Sequence, residues 1–277
     1  MTSDTRRKTG LGELLWEAPT RKNPAGFNNR PRIAIVDIQD ATKANPASIL
    51  KSSGTNPTNR GQEKLRQTLH WLATFVWSSE SIILKRLGIS RRGWMVALEN
   101  KRLVIRVASG TRGGCVWVLT KTGLELARSY SQQVFSHYPA KPERRQQTAL
   151  KHDLALQTVV IDQIRSGVIS EVYNGAYFST GSADEWLPDC IAKIGENLVG
   201  FELERHLKNR VQRDQKLLRI IKLLNRSPTA QVLFISHIES CLTEYTAVML
   251  NGINGVELAH PDAVRILKLD KDLAQFV

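Results

Sequence analysis

The chain has few of the features that mark membrane, secreted or nucleotide-driven proteins. Nowhere in its 277 residues do eighteen or more apolar residues run together, so no segment reads as a membrane span. The first ten residues are polar and basic with no apolar stretch and cleavage site behind them, which leads us to expect a cytoplasmic protein. Cysteine is scarce: Cys115, Cys190 and Cys241 lack any C-x-x-C spacing, which argues against both a disulfide framework and a zinc knuckle. No G-x-x-x-x-G-K-[ST] loop is present to cradle a nucleotide, and no G-x-S-x-G elbow to carry a serine nucleophile. Acidic residues are also in deficit, 26 against 39 Lys and Arg, giving a net charge of +13.

That excess is unevenly placed. Basic against acidic residues number 10 to 5 in residues 1–60, 12 to 4 in 61–130, 3 to 1 in 131–150, and 14 to 16 in 151–277. A basic front suits a polyanionic partner, and a back richer in carboxylates suits cation binding. The organisation expected from composition is a basic, largely flexible arm over 1–60, containing one strand-like run at 33–38, then a domain over 61–139. A polar linker over 140–149 and a second domain over 150–277 complete it.

In the first domain, Leu65, Leu69, Leu72, Ala73 and Val76 recur at helical spacing. Ser78 or Ser79 then offers an N-cap for a short helix with Ile82, Ile83 and Leu87, stopped by Gly88. A third helix opens around Ser90–Trp94, and two apolar runs, 103–107 and 116–119, flank a Gly-rich turn. Three helices followed by a hairpin describe a winged helix, and 121–127 resembles the T-x-x-G helix start that follows the wing in that fold. Arg91, Arg92, Lys101, Arg102, Arg106 and Arg112 are the expected DNA contacts, each of them otherwise a solvated surface charge.

The second domain begins with an apolar-patterned helix over 150–164 carrying His152, followed by Glu171-Val172-Tyr173. Two apolar runs around Gly195-Glu196-Asn197 then read as a hairpin, with Asp189 opening its first strand. Glu202 and Glu204 occupy alternate positions of the second strand and project from one face. Three carboxylates on one face are costly unless a cation joins them, and Mg²⁺ or Mn²⁺ suits oxygen donors. A basic helix carrying Lys208 and Lys216 and the strand 232–236 complete an α-β-β-β-α-β order. Tyr173, Tyr177 and Tyr245 are candidate nucleophiles for covalent strand transfer. No two of the six histidines are two residues apart, so the His-apolar-His motif of such enzymes is missing.

With Pro188-Asp189 followed by Glu202-Leu203-Glu204, the chain resembles the PD-(D/E)xK nuclease superfamily over roughly 61–240. Within it, the chain is similar to the replication-relaxation family and MobC-type plasmid mobilisation relaxases. The resemblance implies an α+β protein, a winged helix followed by a restriction-endonuclease-like α/β domain. It further implies metal-dependent nicking at a plasmid transfer origin, with Asp189 and Glu202 as metal ligands and with an accessory mobilisation protein and a coupling ATPase as partners. Glu204 stands where that superfamily has lysine. Glu204 is then a third metal ligand, or Lys208 or Lys216 supplies the missing ammonium. Otherwise Glu204 pairs with Arg205 or Lys208 on the surface and catalysis has been lost. His152 and Glu171 are further candidates near the metal. The rival function is a non-catalytic DNA-binding regulator of plasmid replication or transcription.

Overall fold

The structure is a computed structural model, and it describes residues 57–90, 93–108, 114–131, 135, 147–176, 185–227 and 229–269. Residues 1–56 of the N-terminal arm, with its strand-like run, and Arg91, Arg92, Arg112, Tyr177 and most of the 140–149 segment lie outside the described residues. The fold is mixed α+β, with seven helices and two sheets among the described residues. They form two compact units, 57–203 and 204–269.

The first unit opens with helix α1, Pro57–Phe75, which buries Leu69, Trp71 and Leu72. Strand β1, Trp77–Ser78, leads into α2, Glu80–Leu87. Ser79 caps α2 by accepting from the Ile82 amide, and Gly88 ends it in the left-handed conformation (φ 63°) that favours glycine. Helix α3, Trp94–Asn100, precedes the antiparallel pair β2, Val104–Ala108, and β3, Cys115–Leu119. Strand β1 adds to the other edge of β3, giving the order β1-β3-β2. Helix α4, Lys121–Ser129, follows. Its T-x-x-G start has a physical basis: Thr120 Oγ1 accepts from the Gly123 amide at 3.0 Å and donates to the Arg102 carbonyl at 2.7 Å. A Cβ at Gly123 would lie 2.0 Å from the Leu103 carbonyl oxygen, so only glycine fits.

Helix α5, Gln147–Arg165, begins inside the stretch expected as linker and is joined to the preceding elements by buried contacts. Leu150 packs with Trp77, Val116 and Val118. Gln157, fully buried, accepts from Trp71 Nε1 at 3.0 Å and donates to the Trp77 carbonyl at 2.8 Å, which satisfies both ends of its amide. Lys85 on α2 pairs with Asp162 at 2.6 Å. Strand β4, Glu171–Asn174, is tied to α1 by Asn174 donating to the Thr74 carbonyl at 2.8 Å. Strands β5, Cys190–Ile194, and β6, Asn197–Glu204, pair antiparallel across a tight turn in which Gly195 has φ 59°. Strand β4 pairs antiparallel with β5.

The second unit contains α6, Arg210–Arg226, which buries Leu217, Ile220, Ile221 and Leu224. Strand β7, Gln231–Ser236, is followed by α7, Glu239–Asn251, and by β8, Val264–Lys268, which runs parallel to β7. A helix between two parallel strands makes this a βαβ crossover. Among the described residues, no helix is long and apolar enough to cross a membrane.

Candidate active site

In the first unit, Asp189 stands immediately before β5. Its amide donates to the Phe201 carbonyl at 2.9 Å, and its Oδ2 accepts from the Leu203 amide at 2.8 Å. Two glycines make this geometry possible. At Gly175 a Cβ would lie 1.7 Å from the Pro188 carbonyl oxygen, so the chain leaving β4 can meet the Pro188–Asp189 segment only at a residue without a side chain. At Gly200 a Cβ would lie 2.5 Å from the Trp186 ring, so β6 leaves room there for the indole. That indole donates a short hydrogen bond to Glu202 Oε1, and both side chains are buried.

His152, in the second turn of α5, faces Asp189. Its Nε2 lies 2.7 Å from the Leu203 carbonyl and 3.3 Å from Asp189 Oδ2, while Nδ1 lies 3.3 Å from Asp153 Oδ1. A carbonyl only accepts, so Nε2 carries a proton, and the carboxylate beside Nδ1 favours a second one. Burial works against the charge, but the bonds to Asp153 and Asp189 outweigh it and the imidazole is pushed up to about 10. His152 is therefore an imidazolium at neutral pH, paired with Asp189. Burial, followed by the nearby charges of Asp189 and Glu202, pushes the Cys190 thiol up, so this cysteine is an inert core residue.

In the second unit, Glu204 is only 3% exposed, and its Oε1 accepts from Lys216 Nζ at 2.6 Å and from Lys208 Nζ at 2.8 Å. Lys216 is the more buried of the two, at 19% side-chain exposure against 36%. Ser236 Oγ donates to the Glu204 carbonyl at 2.7 Å, anchoring the end of β6. Burial, and then the charge of Glu204, pushes the Tyr245 phenol up. A fully buried, protonated Tyr245 has no route to act as a nucleophile. Tyr173 instead donates to Glu171 at 2.5 Å, which engages both residues with each other.

Among the described residues, no group of three or more His, Cys, Asp or Glu side chains is assembled as a cation site. Asp189 faces an imidazolium, Glu202 an indole, and Glu204 two ammonium groups. A carboxylate oxygen already holding two ammoniums is poorly suited to a divalent cation, whereas Asp189 and Glu202 offer the hard oxygen donors Mg²⁺ or Mn²⁺ requires. The role of Trp186 was not read from the sequence, although a glutamate within an apolar strand needs a buried donor, and an indole two residues before Pro188 is such a donor.

Of the expected DNA contacts, Lys101, Arg102 and Arg106 are exposed. Arg102 also forms the turn between α3 and β2, at φ 57°, a conformation that is strained for a residue with a side chain. The Arg106 amide is held by Glu99 Oε1 at 3.4 Å. No family model, curated protein or solved structure matches the chain.

Proposed function

We propose that the chain is a metal-dependent DNA-nicking enzyme of the plasmid mobilisation type, with a winged helix that binds DNA and a restriction-endonuclease-like centre that cuts it. The observation that carries this reading is the burial of two acidic residues, Glu202 and Glu204, at alternate positions of one strand. Buried carboxylates are costly and cluster at functional sites.

Asp189 and Glu202 would hold the Mg²⁺ or Mn²⁺ ion. When bound, such an ion supplies Lewis acidity to the scissile phosphate and its attacking water. Glu204 has a different task in this reading. It tethers Lys216, and with it Lys208, within its own unit. A tethered ammonium is preorganised to stabilise charge developing on phosphate. Lys101, Arg102 and Arg106, with Arg91, Arg92 and Arg112, would hold backbone phosphates away from the cut. A cytoplasmic location, an accessory mobilisation protein and a coupling ATPase follow from the same reading.

A second reading, the non-catalytic DNA-binding regulator, is favoured by a specific observation: each of the three carboxylates already has a donor or cation within the protein. The test is conversion of supercoiled plasmid carrying the transfer origin to open circles. The nickase reading predicts conversion with Mn²⁺ or Mg²⁺ and none with EDTA, and loss of conversion in Asp189→Asn. Binding of the same plasmid without any metal-dependent conversion would establish the regulator instead.

A further inference from the structure

Strand β6 buries two glutamates that are held by different chemistries. Glu204 accepts from two ammonium groups, whereas Glu202, 1% exposed, accepts from the Trp186 indole, a neutral donor. An ammonium offsets a carboxylate's charge, while an indole N–H fixes its direction and leaves the charge in place. A carboxylate has about four lone-pair sites, so a bond to an indole does not exhaust its capacity for a cation.

The indole is itself held in place. Gly200 and Glu202 occupy alternate positions of β6 and so share a face of the strand. A Cβ at Gly200 would lie 2.5 Å from Trp186 Cη2 and 3.2 Å from both Trp186 Cζ3 and Pro188 Cβ. The six-membered edge of the ring therefore rests over Gly200 while Nε1 reaches Glu202 Oε1. Pro188, two residues on, has its carbonyl against Gly175, where a Cβ would lie 1.7 Å away. Asp189, next in the chain, bonds to both chain neighbours of Glu202: its amide donates to the Phe201 carbonyl and its Oδ2 accepts from the Leu203 amide. One closely packed segment, 186–189, thus sets Asp189 beside Glu202 and fixes the rotation of the Glu202 carboxylate.

We infer that Trp186 is a positioning residue for the divalent-cation site, its indole N–H holding the Glu202 carboxylate in the orientation that ligates Mg²⁺ or Mn²⁺. This rests on the reading of Asp189 and Glu202 as metal ligands, but on no step of DNA cleavage. Donors that orient a ligating group change metal affinity by about 10- to 100-fold when they are removed. The assignment also accounts for glycine at position 200, since a side chain there would displace the ring and, through it, the ligand.

The test uses full-length protein and the metal ions alone, without DNA. Wild type is compared by calorimetric titration with Trp186→Phe and with protein carrying benzothienylalanine at position 186, which keeps the bicyclic ring and puts sulfur in place of the N–H. Both replacements should weaken Mn²⁺ binding by about 10- to 100-fold. In wild type the Trp186 Nε1–H resonance, identified by its absence from the benzothienyl protein, should shift as Mg²⁺ is added, with the midpoint that calorimetry gives for Mg²⁺. An indole with a purely structural role would lower resistance to urea in EDTA yet leave metal affinity as it was. Unchanged Mn²⁺ affinity in the benzothienyl protein, or an Nε1–H resonance indifferent to Mg²⁺, would overturn the inference. Wild type that binds no Mn²⁺ defeats the metal centre and the inference together. Mn²⁺ affinity that survives loss of the N–H defeats the inference alone, and the predicted losses in a protein that leaves origin plasmid uncut defeat only the nuclease.

Discussion

Replacing Glu204 with Gln separates two roles by the sign of a stability change. In the structure the Glu204 carboxylate is buried and takes one ammonium at 2.6 Å and another at 2.8 Å. A hydrogen bond to a charged group contributes about 1.5–3 kcal/mol, and breaking a buried pair costs about 3–5 kcal/mol because the partner is left uncompensated. Lys208 is more than a third exposed and water replaces much of what it loses, so most of the effect comes from Lys216. Glu204→Gln should therefore destabilise the protein by about 2–4 kcal/mol, measured by urea unfolding in EDTA with an unchanged slope. If Glu204 were a metal ligand repelled by neighbouring carboxylates, removing its charge would stabilise the metal-free protein. Equal or greater stability of Glu204→Gln in EDTA would refute the tether.

Other substitutions probe the remaining contacts. Lys216→Met should reduce nicking by roughly a hundredfold while leaving duplex affinity within a few fold, because it removes charge stabilisation from the transition state; rates and anisotropy titrations on one preparation check this. Gly200→Ala should cost about 1–3 kcal/mol in urea unfolding, since its Cβ would press into the buried Trp186 ring. His152 has a raised pKa, so its stabilisation is complete below about 6.5 and is lost as pH rises through about 10. The stability gap between wild type and His152→Gln in EDTA should thus be widest near pH 6 and close toward pH 10, and nitrogen NMR should show both ring nitrogens protonated at pH 8. A ring titrating near 6.5 would contradict the ion pair. Lys101→Ala with Arg106→Ala should flatten the salt dependence of DNA binding by about two units, and an unchanged slope would remove both residues from the interface.

Local signals explain which elements were legible. Ser79 and Gly88 bracket α2, glycine at 195 turns the β5–β6 hairpin, and alternation along β6 identified Glu202 and Glu204. Helix α7 offered no such signal at its start: Ile238 at its N-cap makes no side-chain bond, and although Gly252 stands at its C-cap with φ 74°, no sequence expectation covered α7 or β8. Helix α1 begins at Pro57, eight residues before its first apolar position, because proline suits a helix start and the polar early turns lie exposed or half-buried. The partners of the acids were less legible because they come from distant sequence. His152 reaches Asp189 across 37 positions and Lys216 reaches Glu204 across twelve, distances at which the sequence offered candidates without choosing between them. Expecting a linker before α5 followed from polar composition, whereas Gln157 and Leu150 show where that helix buries its inner face.

The central claim is that Asp189 and Glu202 form a metal-dependent DNA-cutting centre, and strand scission at matched DNA occupancy tests it most directly. With enough protein to saturate supercoiled origin plasmid, wild type in Mn²⁺ should yield open circles carrying a single nick, and Asp189→Asn and Glu202→Gln should bind the plasmid as tightly yet leave it supercoiled. Open circles formed equally by wild type and both variants, or by none of them with the DNA fully bound, would contradict it.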